Sequence, residues 1–221
     1  MKLNAKQLRK GFPLSDYRLP QLRKAEDGRR NAIYIVLDNV LDTYNIGSIF
    51  RLADAVAAKK IYLCGGTETP PNHRIKKASI NTTEWVEWSY KETAVQAIEE
   101  LKQQFANRLP TTDYCKTEDG RRKTESIQVI AIEQREQALQ VNKKSVPYDK
   151  FDYKLPICLI VGNETNGVSK EVLKLADAIV EIPMFGVNIS LNVMVSLGIV
   201  LYKIIEKLEQ QMVQYPRKDT K

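Results

Sequence analysis

The stretch Leu159-Ile160-Val161-Gly162-Asn163-Glu164-Thr165-Asn166-Gly167-Val168 decides the fold of this chain. Its apolar run is typical of a buried strand that ends at Gly162, and a polar turn with Glu164 leads into a helix that begins near Ser169. Open α/β sheets bind ligands at such strand ends, where a glycine leaves backbone groups accessible. An ordinary strand–turn–helix connection is the alternative, and two glycines around an Asn-Glu pair weaken it.

The same alternation of strand and helix continues on both sides of this stretch. Short apolar runs predict strands over 33–37, 61–64, 127–132, 155–161 and 178–182. Residues 85–88 alternate as a strand does, and 140–154 are irregular. Helical spacing predicts helices over 45–58, 73–78, 91–106, 169–176 and 190–210, and the polar residues 107–125 predict a surface loop. Strands that alternate with helices indicate an α/β fold with a parallel sheet flanked by helices.

A second motif follows the first predicted strand. Asn45 is a good N-cap for the helix over 45–58, Gly47 permits close approach of another backbone, and Arg51 lies nearly two turns into the helix. An amphipathic helix with a surface arginine explains these residues equally well. Read alone, the motif favours that simpler interpretation.

The third motif is Ile182-Pro183-Met184-Phe185-Gly186-Val187-Asn188-Ile189-Ser190-Leu191-Asn192-Val193. A strand ends near Pro183, and Ser190 is placed to cap the long helix over 190–210. Asn192 then falls in the first turn, where a buried amide costs free energy unless it is paired. The simpler alternative is an apolar C-terminal helix with an ordinary cap.

In chain order, the motif at Asn45 to Arg51, the motif at Gly162 to Gly167 and the motif at Ile182 to Val193 together resemble the SpoU/TrmH RNA 2′-O-ribose methyltransferases of the SPOUT superfamily, over about residues 31–210. The resemblance implies a C-terminal deep trefoil knot, a homodimer whose active site uses both subunits, and S-adenosyl-L-methionine bound in the knot. It implies Arg51 as the catalytic residue, supported by Asn45. The positions implied to form the cofactor site are Ile132, Gly162, Asn163, Glu164, Gly167, Ile182, Met184, Ser190, Leu191 and Asn192.

The reaction that the resemblance implies is attack of a ribose 2′-hydroxyl on the methyl group of the cofactor. A ribose hydroxyl is a poor acid, so it must be deprotonated or polarised. The family proposal makes the arginine at the position of Arg51 the base. Because arginine stays protonated in proteins, we expect Arg51 instead to bind the RNA phosphate and to stabilise developing oxyanion charge.

Positive charge is concentrated at the start of the chain. Residues 1–30 contain nine basic and three acidic residues, a net charge of +6, whereas the other 191 contain 25 and 24, a net charge of +1. We expect 1–30 to form a basic helical extension that binds tRNA or rRNA, 31–210 the methyltransferase domain and 211–221 a polar tail. The residues expected to contact RNA are Arg9, Lys10, Arg23, Lys24, Arg29 and Arg30, with Arg121-Arg122-Lys123 as a second candidate.

Composition argues against several other classes of protein. One histidine and three widely spaced cysteines predict no metal site and no disulfide framework. The sequence lacks a signal peptide and any stretch of about 18 apolar residues, which predicts a cytoplasmic protein without membrane association. Two alternatives to the ribose methyltransferase stay open: a non-catalytic RNA-binding relative, and a SPOUT enzyme that methylates bases.

Overall fold

The computed structural model describes residues 32–107 and 126–214. They form a parallel sheet in the order β3-β2-β1-β6-β4-β7-β5. The strands are β1 (Ile33–Asp38), β2 (Lys60–Cys64), β3 (Trp88–Lys91), β4 (Gln128–Ile132), β5 (Ser145–Pro147), β6 (Ile157–Gly162) and β7 (Ala178–Glu181). The helices are α1 (Thr43–Ala55), α2 (His73–Ser79), α3 (Ala94–Ala106), α4 (Arg135–Gln140), α5 (Lys170–Leu175) and α6 (Val193–Gln214).

Helices cover both faces of the sheet, which is why its central strands are apolar along their whole length. Every residue of β1 and β6 is buried. Residues such as Ile35 and Leu159 pack with α1 and α6 on one face. Their neighbours Val36 and Ile160 pack with α3 and α5 on the other. The α/β fold with a flanked parallel sheet is therefore confirmed, and the deep trefoil knot stays a prediction.

The strand order places a topological switch point at the centre of the sheet. From β1 the chain moves outward to β2 and β3, and it then returns to build β4, β6 and β7 on the other side. β1 and β6 are neighbours in register, so that Asp38 lies opposite Gly162 at their carboxyl ends. Open α/β sheets bind ligands in the crevice at such a point.

Helix α1 begins two residues earlier than predicted, and Asn45 is not its N-cap. Asp42 takes that position, because its carboxylate accepts a hydrogen bond of 2.7 Å from Tyr44 N. Further along, a Cβ at Gly47 would lie 2.6 Å from Ala78 Cβ and 2.7 Å from the Ile75 carbonyl oxygen. The glycine therefore lets α1 pack closely against α2.

Helix α6 begins at Val193, three residues later than predicted, so Ser190 is not its cap. The side-chain oxygen of Asn192 accepts hydrogen bonds from Met194 N (3.0 Å) and Val195 N (3.3 Å), as an N-cap does. Asn192 is also exposed, not buried in a first turn. The helix continues to Gln214, so the polar tail predicted from 211 begins inside it.

Three further elements differ from the prediction. The strand expected at 85–88 is wrong, because a 3₁₀ turn over Thr82–Glu84 precedes it and the pairing with β2 begins only at Trp88. Trp85 lies before the strand and donates through Nε1 to Asp54 Oδ1 at 2.7 Å. Helix α4 was not predicted, and the region expected to be irregular contains β5. In the described residues, no helix is long and apolar enough to cross a membrane.

Candidate active site

The first and second motifs meet through the carboxylate of Glu164. Its Oε2 accepts from Leu41 N and its Oε1 from Asp42 N, each at 3.1 Å. The Asn45 side-chain amide donates to the same Oε1 at 3.0 Å. Burial raises the pKa of the Glu164 carboxyl, but the hydrogen bonds from Leu41 N, Asn45 and Asp42 N outweigh it and hold that pKa below its ordinary value.

Asn45 extends this network to the third motif. Its side-chain oxygen accepts a hydrogen bond of 2.9 Å from the Asn192 amide, while its own amide nitrogen donates to Glu164. Asn45 is buried, although it lies on a helix whose outer face is polar. Glu164, Asn45 and Asn192 therefore join three segments that are far apart in sequence, and we call them the motif triad.

The turn after β6 is held tightly by its own groups. Asn163 Oδ1 accepts from Thr165 N and Asn166 N, both at 2.9 Å, and its amide donates to the Asn39 carbonyl oxygen. A Cβ on Gly162 would overlap the carbonyl group of Gly167 and the amide nitrogen of Val168. The turn folds back onto the end of β6, which is possible only because residue 162 has no side chain.

Sequence reasoning missed Glu133, which directly follows β4. Its Oε1 accepts from Val168 N at 2.6 Å and its Oε2 from Gln134 N at 3.1 Å. Burial raises the pKa of this carboxyl above its ordinary value, and the two hydrogen bonds partly offset that rise. The carboxylate also lies beside Gly167, which has φ +71°. The sequence signal that could have indicated Glu133 is its position directly after a predicted strand.

Asp38, which ends β1 in the same way, begins the sequence motif that leads to Arg51, but no role in the site was expected for it. The side chain is almost fully buried, and its Oδ2 accepts from Ser169 N at 2.8 Å while Oδ1 accepts from the Asn39 amide. The residue therefore anchors the start of the segment that leads into α5. Together, Asp38 and Glu133 hold the turn after β6 from both sides.

The segment 182–191 follows the carboxyl end of β7 and leads to α6. No backbone group in it takes part in a hydrogen bond with any residue in the described ranges. Phe185, Val187 and Ile189 are 97 %, 100 % and 75 % exposed. Such a surface offers free backbone donors and acceptors next to apolar side chains.

The comparisons with known proteins agree with this geometry. The model of the SpoU rRNA methylase family matches residues 32–120 and 106–202. A tRNA (guanosine(18)-2'-O)-methyltransferase of Aquifex aeolicus is 30 % identical over 197 residues, which are 88 % of this chain and 78 % of that protein. The chain belongs to the SpoU family.

Other SpoU relatives extend the match to solved structures. The TrmH/SpoU tRNA modifying enzyme of A. aeolicus has a TM-score of 0.63 at 28 % identity, covering 87 % of this chain and 83 % of that one. An AdoMet-bound rRNA methyltransferase from Sinorhizobium meliloti has a TM-score of 0.62 at 28 % identity, covering 80 % and 56 %. The match also spans 63 % of an Escherichia coli relative that is 25 % identical.

The residues expected from the SpoU resemblance fall into four groups. Ile132, Gly162, Ile182 and Met184 lie at the carboxyl ends of neighbouring strands or directly after them, and Ser190 and Leu191 lie in the exposed segment before α6. Asn163, Glu164, Gly167 and Asn192 belong to the hydrogen-bonded frame around that edge. The residues expected to bind RNA, 9–30 and 121–123, lie outside the described residues.

Arg51, the expected catalytic residue, lies on the outer face of α1. It is exposed and shares this face with Tyr44 and Ser48, seven and three residues earlier. Within the described ranges, no hydrogen bond or ion pair involves its guanidinium. The side chain is therefore available to an incoming ligand, on a helix that the motif triad positions.

Proposed function

We propose that this protein transfers a methyl group from S-adenosylmethionine to a ribose 2′-hydroxyl of tRNA or rRNA. The names of its relatives support this reaction, since they include a tRNA (guanosine(18)-2'-O)-methyltransferase and a 23S rRNA (guanosine-2'-O-)-methyltransferase. The observation that carries the proposal is the motif triad. It ties the helix of Arg51 to both segments at the switch point, so a bound cofactor and the arginine are held in a fixed relation.

The segment 182–191 and the neighbouring strand ends fit a bound S-adenosylmethionine. The open backbone groups of the segment match the hydrogen-bonding edges of an adenine, and Ile182 and Met184 offer apolar contact. Gly162, Ile132, Ser190 and Leu191 would complete the site. When bound, the cofactor supplies an electrophilic methyl group on a sulfonium, and methyl donation is its own chemistry.

Asn163, Glu164, Gly167 and Asn192 act by positioning. The carboxylate of Glu164 accepts three protein hydrogen bonds, and the side chains of Asn163 and Asn192 are paired at both ends. These groups shape the pocket and leave ligand contacts to the backbone around them.

Arg51 binds the phosphate beside the target ribose and stabilises the charge that develops on the 2′-oxygen. Its guanidinium provides five N–H donors and carries a permanent positive charge, so it suits both tasks better than proton abstraction. Its guanidinium has no ion pair with residues 32–107 or 126–214, which allows it to meet a substrate without first breaking an ion pair in that part of the chain.

Mass spectrometry of nucleosides tests the reaction. Unfractionated tRNA and rRNA are incubated with purified protein and methyl-labelled S-adenosylmethionine, then digested. A labelled 2′-O-methylnucleoside is the expected product, and tRNA is the first pool to examine because the Aquifex aeolicus relative is named a tRNA methyltransferase. A labelled base would move the protein to a base-methylating branch. Cofactor binding without any labelled product would favour the non-catalytic RNA-binding alternative.

The protein functions as a homodimer in the cytoplasm, with α6 at the interface. Val195 and Tyr202, seven residues apart on one face of α6, are 40 % and 55 % exposed, and Leu191, just before the helix, is 36 % exposed. Leu41 and Tyr44, at the start of α1, add apolar surface of similar exposure. A partner that covers this surface would also approach Arg51, so that both subunits would build the active site.

Substitution of Val195 by Asp should convert the dimer to monomers and abolish methyl transfer, because a charge would be buried at the interface. Sedimentation velocity gives the oligomeric state and the labelled-methyl assay gives activity. Leu139→Asp is the matched control, since Leu139 is 57 % exposed on α4. A wild-type protein that is monomeric and active would contradict the dimer.

Deletion of residues 1–30 should weaken tRNA binding and reduce its salt dependence. Each lost phosphate contact lowers the slope of log affinity against log salt by about 0.7–0.9. Filter binding between low and physiological salt measures that slope, with S-adenosylmethionine affinity as the readout that should not change. A charge-neutral variant with Gln at Arg9, Lys10, Arg23, Lys24, Arg29 and Arg30 should match the deletion. Equal slopes for deletion and full-length protein would disprove RNA binding by this extension.

A further inference from the structure

A cavity of about 470 Å³ opens between the loop that follows β2 and the edge strand β3, away from the strand ends that frame the cofactor site. Its lining residues are Gly66, Thr67, Glu68, Thr69, Trp88 and Tyr90. We infer that this cavity binds an unpaired base of the substrate RNA, next to the nucleotide whose ribose is methylated. The inference rests on the proposed function, since it takes RNA as the substrate.

Two aromatic side chains form one wall. Trp88 and Tyr90 are two residues apart on the edge strand β3, so they lie on the same face of the sheet. Their partners in register, Ile61 and Leu63, belong to the core that packs against α1. The aromatic wall is therefore on the same side of the sheet as the helix of Arg51. Aromatic rings that line an open cavity are the usual platforms for stacking of unpaired bases.

The cavity is preformed. Tyr90 Oη donates to the Gly65 carbonyl oxygen at 3.0 Å, which fixes the ring although 46 % of the residue is exposed. Opposite it, Asn39 Oδ1 accepts from Gly66 N at 2.9 Å. Thr67 is buried, and its hydroxyl donates to the Leu37 carbonyl oxygen at 3.4 Å. A preformed wall loses little conformational entropy when a base stacks on it.

The negative charge in the cavity lining favours a base over a phosphate as the ligand. Glu68 lies in the lining, and a carboxylate repels a phosphate but accepts hydrogen bonds from N–H groups on a base. Guanine presents two adjacent N–H donors on its pairing edge, which matches a carboxylate. The loop that carries Glu68 leads into α2, where Arg74, Lys76 and Lys77 are exposed and no acidic residue occurs. These cations would bind the RNA backbone that continues beyond the cavity.

The spacing suits a nucleotide next to the target. β2 lies two strands from β6 in the sheet order, which corresponds to roughly 10 Å. Gly66 and Thr67 in the lining therefore follow a strand end at the same edge of the sheet as Gly162. A strand of RNA that follows this edge would place one nucleotide at the cavity and another near Arg51.

Fluorescence of Trp88 tests the site without any requirement for methyl transfer. The chain has two tryptophans, so Trp85→Phe leaves Trp88 as the reporter. Guanosine monophosphate should quench it more strongly than adenosine, cytidine or uridine monophosphate, and unfractionated tRNA should quench it too. Glu68→Gln, which keeps the shape of an exposed side chain and removes its charge, should erase a guanosine preference of about 5-fold or more. Absence of quenching by all four mononucleotides would overturn the inference.

Binding of tRNA by two variants of Tyr90 provides the matched comparison. Tyr90→Leu removes the ring and should lower tRNA affinity by about 5- to 100-fold, whereas Tyr90→Phe keeps the ring, loses only the hydrogen bond to Gly65 and should lower the affinity clearly less than Tyr90→Leu does. Thermal unfolding of both variants checks the fold. Equal tRNA affinities for Leu and Phe would overturn the base site.

The same preparations separate this inference from the proposed function. If wild-type protein transfers methyl groups while Tyr90→Leu binds tRNA as Tyr90→Phe does, the base site is wrong and the reaction stands. If Trp88 is quenched and Tyr90→Leu loses affinity but no RNA is methylated, the base site stands and the reaction is wrong.

Discussion

Arg51→Ala should lower kcat for methyl transfer by about 10²- to 10³-fold or more while the affinity for S-adenosylmethionine stays unchanged. Loss of one preorganised donor to developing oxyanion charge has an effect of this size. The side chain is exposed, and it makes no hydrogen bond with the described residues whose loss would destabilise the fold. The variant should therefore unfold at the same temperature as wild type. Calorimetry with the cofactor and the labelled-methyl assay with tRNA measure the two effects.

Two further variants make the result specific. Arg51→Lys keeps the charge but loses the planar set of donors, so it should recover only part of the activity. Arg135→Ala removes another exposed arginine, on α4, and should retain wild-type kcat. Loss of cofactor binding in Arg51→Ala would show that the arginine belongs to the cofactor site and that its proposed role is wrong.

The sheet could be predicted because its central strands are continuous apolar runs. Ile33–Asp38 and Ile157–Gly162 are buried on both faces, a local property that composition reveals directly. The pairing of these two strands could not be predicted in the same way, since more than a hundred residues separate them. The resemblance to a known family indicated that the three motifs belong to one site, but it gave no pairing of these strands.

The cap residues show why local reasoning misplaced two helix starts. Asp42 and Asn45 are both good caps, as are Ser190 and Asn192, and propensity alone cannot rank them. In the first pair, tertiary contacts determine which residue caps α1. Glu164 and Asn192 bind the side chain of Asn45, and Asp42 is the cap. In the second pair, Asn192 caps α6 through its oxygen while its amide pairs with Asn45. Two residues of the motif triad, Asn45 and Asn192, therefore have tertiary roles that the local sequence pattern did not predict.

Gly162→Ala should destabilise the protein by about 3 kcal/mol or more and abolish cofactor binding. The new Cβ would overlap the backbone of Gly167 and Val168, and backbone cannot move aside as a flexible side chain can. Relief of the overlap would have to displace the turn after β6. That turn carries Asn163 and Glu164, so the motif triad would be disturbed as well. Urea unfolding and calorimetry with S-adenosylmethionine measure the two losses.

Gly186→Ala is the matched control, because nothing lies within 4 Å of the position its Cβ would take. It changes a glycine to alanine in the neighbouring segment 182–191, and its stability should stay within about 0.5 kcal/mol of wild type. Equal stability for the two variants, with a cofactor affinity of Gly162→Ala equal to that of wild type, would mean that the turn after β6 tolerates a side chain. The close contact between Gly162 and Gly167 would then not be what holds the candidate site in shape.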